Sequence, residues 1–354
     1  MGMFFLSRII FNQFAGSSSP NTNSPGQPGA VLPFEDRPAR HEIVNYSPIP
    51  ELVSPIWAAD RSLDIKIYVS PYIGLPALTS IPSSALVADE KNFPIGNLSE
   101  TREIEATITL AESVQNNGTL WAHFYVALSG HQQDPAAKDY NTETAVHFVR
   151  PLNSYLPKRK LKKKKNLLSA ADQPEEVEED NSPDVSIASF YHPNVTLAVI
   201  PDSGVQKYKF LLPAVRQHMQ LETSGARDPS GQNGWYYPIL FLNKFWQLKS
   251  HMTELNSTVE TVPLRITLSH MRNWQFSLLT SLDEGMKQTA LQSANGGSVP
   301  AGGDGSEFEM LKEVLLDTNP YMLATTGIVS VFHMIFETLA FKNDIVSGFE
   351  LSTE

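Results

Sequence analysis

His333 and Glu337 stand four residues apart in the run YMLATTGIVSVFHMIFETLAFKND, residues 321–344. On a helix that spacing brings the side chains together, so an imidazole and a carboxylate can share a hydrogen bond or a proton. At about 100° per residue, Thr326, Ser330 and Ala340 fall on the same stripe, within about 80° of the pair. The rest of the run is mostly apolar. An acid–base pair and hydroxyls on one face of an apolar helix have three uses. The pair neutralises itself and serves only helix contacts, or the stripe lines a polar path for lipid or ions, or the helix lies on a surface with that stripe in water. The residues leave all three open.

The element that positions this stripe is legible. Residues 321–341 would extend roughly 31 Å as a helix, against a hydrocarbon core of about 30 Å. Leu323, Ile328, Val329, Val331, Phe332, Ile335, Phe336, Leu339 and Phe341 together favour insertion by roughly 4 kcal/mol, and one charge near the middle opposes it by about 3. The pattern predicts a transmembrane helix over 320–342 that inserts only marginally by itself. Before it, Phe308, Leu311 and Leu315 recur at helical spacing and the run stops at Asn319-Pro320, which predicts an amphipathic helix over 307–319. Residues 343–354 are a tail.

Elsewhere the chain is poor in catalytic chemistry. It has no cysteine, so it has no thiol nucleophile, disulfide or thiolate metal site. The nine histidines are scattered without a helical pair, and no nucleophile elbow, P-loop, HExxH or dinucleotide fingerprint occurs. We expect no enzyme, no cofactor and no metal. The net charge of −11 over 354 residues argues against nucleic acid as a main partner, because phosphate binding needs a positive field. One block runs against that sign: Lys158, Arg159, Lys160, Lys162, Lys163, Lys164 and Lys165, followed by an acidic stretch. Its readings are a solvated loop, a contact with anionic lipid headgroups, or docking of a partner.

From residue 62 the dominant period is two. SLDIKIYVS sets Leu63, Ile65, Ile67 and Val69 against Asp64, Lys66, Tyr68 and Ser70, which predicts a half-buried strand. REIEATITL sets Ile104, Ala106, Ile108 and Leu110 inward and Glu103 and Glu105 toward solvent. In GTLWAHFYVALSG the even positions Leu120 to Leu128 are apolar, while Trp121, His123 and Tyr125 share the other face, with His123 expected at the surface. VPLRITLSH places Val262, Leu264, Ile266 and Leu268 in the core. NVTLAVI and WYYPILFLNKFWQL are apolar on both faces and read as interior strands, the second bending at Pro238. The aromatic density of WYYPILFLNKFW suits a core or a peptide- or lipid-binding groove. Such strands, separated by Gly, Pro and Asn clusters, predict a mainly β, antiparallel, sandwich-like domain.

The expected organisation follows. Residues 1–15 are a short apolar segment, too brief for a span, readable as an amphipathic end or the remnant of a membrane segment. Residues 16–40 have the composition of a flexible linker. The β-sandwich occupies 41–291, with a charged loop at 157–183, and a Gly-rich linker covers 292–306. Five N-glycosylation sequons, at Asn45, Asn97, Asn117, Asn194 and Asn256, would be acceptors only if the domain is translocated into a lumen. Pro48 just after its serine makes Asn45 the weakest of them.

Several blocks resemble one known family. TNPYMLATTGIVSVFHMIFETLAFKNDI, 318–345, is similar to the first core span of the cleft lip and palate transmembrane protein 1 family. SLDIKIYVS, VQNNGTLWAHFYVALSG, KKKKNLL, FYHPNVTLAVI, YYPILFLNKFWQLKSHMTELNST and VPLRITLSHMRNWQF agree with that family in order, from about residue 62 to 345. The resemblance implies a multi-spanning protein of the endoplasmic reticulum or another endomembrane, with a large lumenal domain ahead of a helix bundle. It also implies lipid scrambling, including glycosylated phosphatidylinositol, and a part in assembling, retaining or trafficking membrane receptors. The implied partners are membrane lipids and membrane-protein clients; a lumenal module that holds such clients is the alternative function. VSGFELSTE departs from the family, and MGMFFLSRIIF is similar to the end of its first apolar segment, so the expectation is a chain abbreviated at both ends.

Overall fold

The computed structural model describes residues 31–43, 45–159, 185–201, 203–294 and 306–353. The expected segment 1–15, most of the linker 16–40, most of the loop 157–183 and most of the linker 292–306 lie outside them. The chain divides into two units, Met1–Gln247 with His251–Glu284, and Leu248–Ser250 with Gly285–Glu354.

The first unit is mainly β. One four-stranded sheet has the order β3-β2-β5-β6, from Leu86–Pro94, Ser62–Ser70, Trp121–Leu128 and Ala145–Pro151, all neighbours antiparallel. A second has the order β12-β9-β14-β4, from Ile239–Asn243, Asn194–Ile200, Thr261–His270 and Arg102–Thr109. Two three-stranded sheets complete the unit: β13-β8-β7 (Thr253–Glu254, Val185–Tyr191, Ser154–Arg159) and β10-β1-β11 (Gln206–Lys207, Leu52–Pro55, Gly234–Tyr236).

Period-two patterning accounts for the core. Leu63, Ile65, Ile67, Ala122, Phe124 and Val126 from the first large sheet join Ile104, Ile108, Leu197, Leu264, Ile266 and Leu268 from the second in a single buried cluster. Each strand contributes alternate residues to it, and Glu103, Glu105 and Thr107 between them stay exposed. Pairing is not antiparallel throughout. β14 runs parallel to β9, with Ile266 opposite Val195 and Leu268 opposite Leu197, and β1 runs parallel to β11. Periodicity cannot distinguish the two directions, because side chains alternate identically in both.

Pro238 divides the aromatic run as its missing N–H requires. Before it, β11 pairs with β1; after it, β12 pairs with β9. Trp235, Tyr236 and Tyr237 are each at most 1% exposed, so the first part of this run is core, whereas Trp246 at its end is 41% exposed. A smaller cluster gathers Ala198, Ile200, Val215, Met219, Tyr236, Ile239 and Phe241 around Phe276, which comes from helix α1, Asn273–Ala294.

The expectation of a half-buried β2 is corrected. Asp64, Tyr68 and Ser70, assigned to solvent, are all buried. The strand lies between two neighbours, and loop residues cover its second face: Gln133 donates to the Asp64 carbonyl at 2.6 Å.

The second unit holds α2, Ser306–Asp317, and α3, Pro320–Thr353. Asn319 caps α3, its Oδ1 accepting the Tyr321 N–H at 2.9 Å, and Pro320 fills the first turn where no N–H is needed. The helix runs 34 residues, so residues 343–353 continue it.

Candidate functional site

The stripe takes shape on α3. His333 Nε2 lies 3.7 Å from Glu337 Oε1, with the side chains 72% and 69% exposed. Each hydroxyl near them is tied one turn back: Thr326 Oγ1 donates to the Met322 carbonyl at 2.9 Å, Ser330 Oγ to Thr326 at 2.8 Å, and Thr338 Oγ1 to Met334 at 2.8 Å. Their donors are satisfied by the helix itself, so what they offer outward is oxygen lone pairs. The strong hydrogen-bonding groups facing out are the imidazole and the carboxylate.

The apolar residues of α3 are equally bare. Ile328, Val331, Phe332, Ile335, Phe336, Leu339 and Phe341 are 48–67% exposed. Among the described residues, no helix is long and apolar enough to cross a membrane. A continuous apolar surface of this kind marks a site of contact with lipid or protein.

The other sequence-derived candidates are spread over the first unit. Asn45, Asn97, Asn117 and Asn194 are exposed and Asn256 is half-buried. At Asn97 and Asn256 the Oδ1 accepts both the N–H and the hydroxyl of the sequon's third residue, Ser99 at 3.3 and 2.8 Å and Thr258 at 3.0 and 2.6 Å. Asn117 has a φ of 67° and its amide donates to the Ile187 carbonyl at 3.4 Å, while Thr119 meets the Tyr155 hydroxyl at 2.7 Å. Lys158 and Arg159 end β7, and Lys160, Lys162, Lys163, Lys164 and Lys165 lie outside the described residues.

His123 is not at the surface as expected: it is 0% exposed. Its Nε2 contacts the Tyr72 carbonyl at 2.9 Å and its Nδ1 contacts His147 Nε2 at 3.2 Å. His123 and His147 sit on neighbouring strands, with Tyr125 directly opposite His147, a register that alternation alone does not reveal. Burial lowers both imidazoles, and with His123 beside it His147 is pushed down to about 4. Tyr125, stacked on His147 at 4.2 Å, is pushed up to about 12, chiefly by burial.

Asp64 is the other buried ioniser. Burial works to raise its carboxyl, but the N–H groups of Asn92 and Gly130, the Ser129 hydroxyl and Lys91 outweigh it and hold the group below the usual carboxylate range. These are structural roles. Among the described residues, no group of three His, Asp or Glu side chains could hold a metal ion.

A β-rich body followed in the chain by a helix whose large apolar side chains are exposed is the make-up of a membrane protein. The chain belongs to the cleft lip and palate transmembrane protein 1 (CLPTM1) family, whose model matches residues 1–347. It is 35% identical to a Danio rerio protein named putative lipid scramblase CLPTM1, over 67% of this chain and 36% of that one. It is 32% identical to the CLPTM1-like membrane protein cnrB of Dictyostelium discoideum, over 66% and 34%, and 24% identical to the human lipid scramblase CLPTM1L, over 83% and 50%. The chain thus spans between a third and a half of the length of these relatives. No solved structure matches it.

Proposed function

We propose that this sequence supplies the lumenal β domain and one membrane helix of a protein that moves lipids between the leaflets of the endoplasmic reticulum or another endomembrane. The observation that carries this reading is the make-up of α3, with large apolar side chains bare and one acid–base pair, His333 and Glu337, 3.7 Å apart on a stripe shared with Thr326 and Ser330. In hydrocarbon an isolated carboxylate costs several kcal/mol, whereas a paired one facing other helices or a wet path costs far less. The stripe therefore faces inward in a bundle. A lipid headgroup passing along it meets one imidazole, one carboxylate and a row of hydroxyl oxygens, and the acyl chains stay in the bilayer.

Two further observations support the reading. Relatives covering most of this chain are named lipid scramblases. Four of the five sequon asparagines are exposed, as a lumenal domain that accepts glycans requires. Catalysis of a covalent step is not part of the proposal.

The test is transbilayer transfer of a fluorescent phospholipid in vesicles reconstituted with the whole protein that carries this sequence. Glu337→Leu should abolish transfer and leave the circular dichroism of the β domain unchanged. Transfer at the unaltered rate in that variant would overturn the polar-track reading.

A further inference from the structure

The first unit has partly exposed apolar side chains of its own, distinct in sequence from the stripe. On α1, Trp274, Leu278 and Leu282 recur every four residues and are 45%, 37% and 42% exposed. At about 100° per residue they lie roughly opposite Phe276 and Thr280, which are at most 2% exposed. The helix is thus anchored by one apolar face and presents another outward.

Phe210, 79% exposed, belongs to the same corner. Its neighbours Tyr208, Leu211 and Leu212 pack on the small cluster that holds Phe276, with Leu279 of α1 against it. His218, just beyond, meets the Phe276 ring edge-on at 5.8 Å. Both segments therefore sit on one core and leave large apolar groups outside it.

Charge identifies what this surface meets. In a chain of net charge −11, the run 203–221 carries Lys207, Lys209 and Arg216 and the run 261–282 carries Arg265 and Arg272, with Asp202, Glu222, Glu260, Asp283 and Glu284 at their ends and Glu222 buried. Arg265 is engaged with Glu105 at 3.0 Å, whereas Lys207, Lys209, Arg216 and Arg272 are exposed close in sequence to Phe210 and Trp274. Exposed aromatic and leucine side chains with exposed lysine and arginine close to them in sequence suit the boundary between headgroups and acyl chains. The apolar groups enter it and the cations meet lipid phosphates and carboxylates. A protein partner selected by the same charges would have to be acidic.

We infer that Phe210 and the Trp274–Leu278–Leu282 face of α1 form a docking surface by which the β domain rests on an anionic membrane. The inference does not depend on transport along α3.

The absence of cysteine makes the test direct. Single Phe210→Cys, Leu278→Cys and Thr107→Cys variants of the full chain, Thr107 being an exposed control on β4, are labelled with an environment-sensitive fluorophore. They are reconstituted in phosphatidylcholine vesicles with or without phosphatidylserine, and quenched with spin-labelled lipid. Labels at 210 and 278 should be quenched several-fold more than the label at 107, and more strongly with phosphatidylserine present. Changing Lys207, Lys209, Arg216 and Arg272 together to Gln should remove that increment. Labels at 210 and 278 quenched no more than the control would overturn the inference. If they were at the same time shielded from aqueous iodide, the surface would belong to a protein partner or a second copy. The readout is depth and not transfer, so inactivity of the Glu337→Leu variant leaves it unaffected.

Discussion

His123 Nδ1 lies 3.2 Å from His147 Nε2, with the rings stacked at 11° and 5.3 Å between centroids. Because His123 Nε2–H is committed to the Tyr72 carbonyl, its Nδ1 must accept, and His147 must donate. A proton added to His123 would set two N–H groups face to face. The hydrogen bond holds only while His123 is neutral, and burial disfavours charge on His147 as well.

Acid should therefore weaken the β domain. The folded His147 value, about 4, lies below the usual 6.5, so the unfolded chain takes up the proton first. Stability is at full strength above about pH 6.5, declines as the pH falls toward 4, and levels off below. A shift of this size corresponds to up to about 3 kcal/mol. The surrounding Tyr68 and Tyr125 are neutral throughout, and Asp134 is held by the N–H groups of Leu78 and Ala136. Urea unfolding between pH 7.5 and 4.5 reads this decline, which should be flatter in His147→Gln; equal slopes would refute the assignment.

Arg227 ties two distant segments together. It is 5% exposed, and its guanidinium donates to the carbonyls of Ser47, Pro48 and Ala226 at 3.0, 2.8 and 2.8 Å. Only a planar fork reaches all three. Arg227→Lys should cost about 1–2 kcal/mol, because an ammonium cannot keep all three of these part-buried hydrogen bonds. A melting temperature within a degree or so of the parent would contradict this.

Gly231 permits the segment around residues 45–48 to approach closely, its carbonyl accepting the Ser47 N–H at 2.8 Å. Its φ is +72°, and a Cβ there would stand 2.1 Å from the Asn45 carbonyl oxygen. Gly231→Ala should lower stability by more than the ~1 kcal/mol typical of a positive-φ site, because backbone has to move as well. Proteolysis near residues 45–50 should quicken; unchanged protection would show that the segment tolerates the shift.

Pairing on α3 predicts an order among variants. His333→Leu leaves the carboxylate alone and should reduce the carbonate-resistant fraction, whereas His333→Leu with Glu337→Leu should raise it above the parent. Equal fractions in all three would mean that the pair does not sit in hydrocarbon.

Much of the fold was legible. Alternation in SLDIKIYVS, REIEATITL and VPLRITLSH named the core residues, and Pro238 named the break between β11 and β12. What periodicity could not give was the cover over a second sheet face. Asp64 and His123 look like solvent residues because they are polar at alternate positions, yet loops containing Tyr72 and Gln133 bury them and satisfy their hydrogen bonds. Strand direction was hidden for a similar reason, since β9 and β14 would alternate identically if paired either way. The i, i+4 pair on α3 was readable because it depends only on local helical spacing.

The most direct test of the account is the state of the chain made in microsomes, extracted with alkaline carbonate and weighed before and after removal of N-glycans. The account predicts a carbonate-resistant product that loses mass on deglycosylation, with a smaller loss when Asn97 or Asn194 is changed to Gln. A product that is extracted by carbonate and carries no glycan would contradict both the membrane helix and the lumenal β domain.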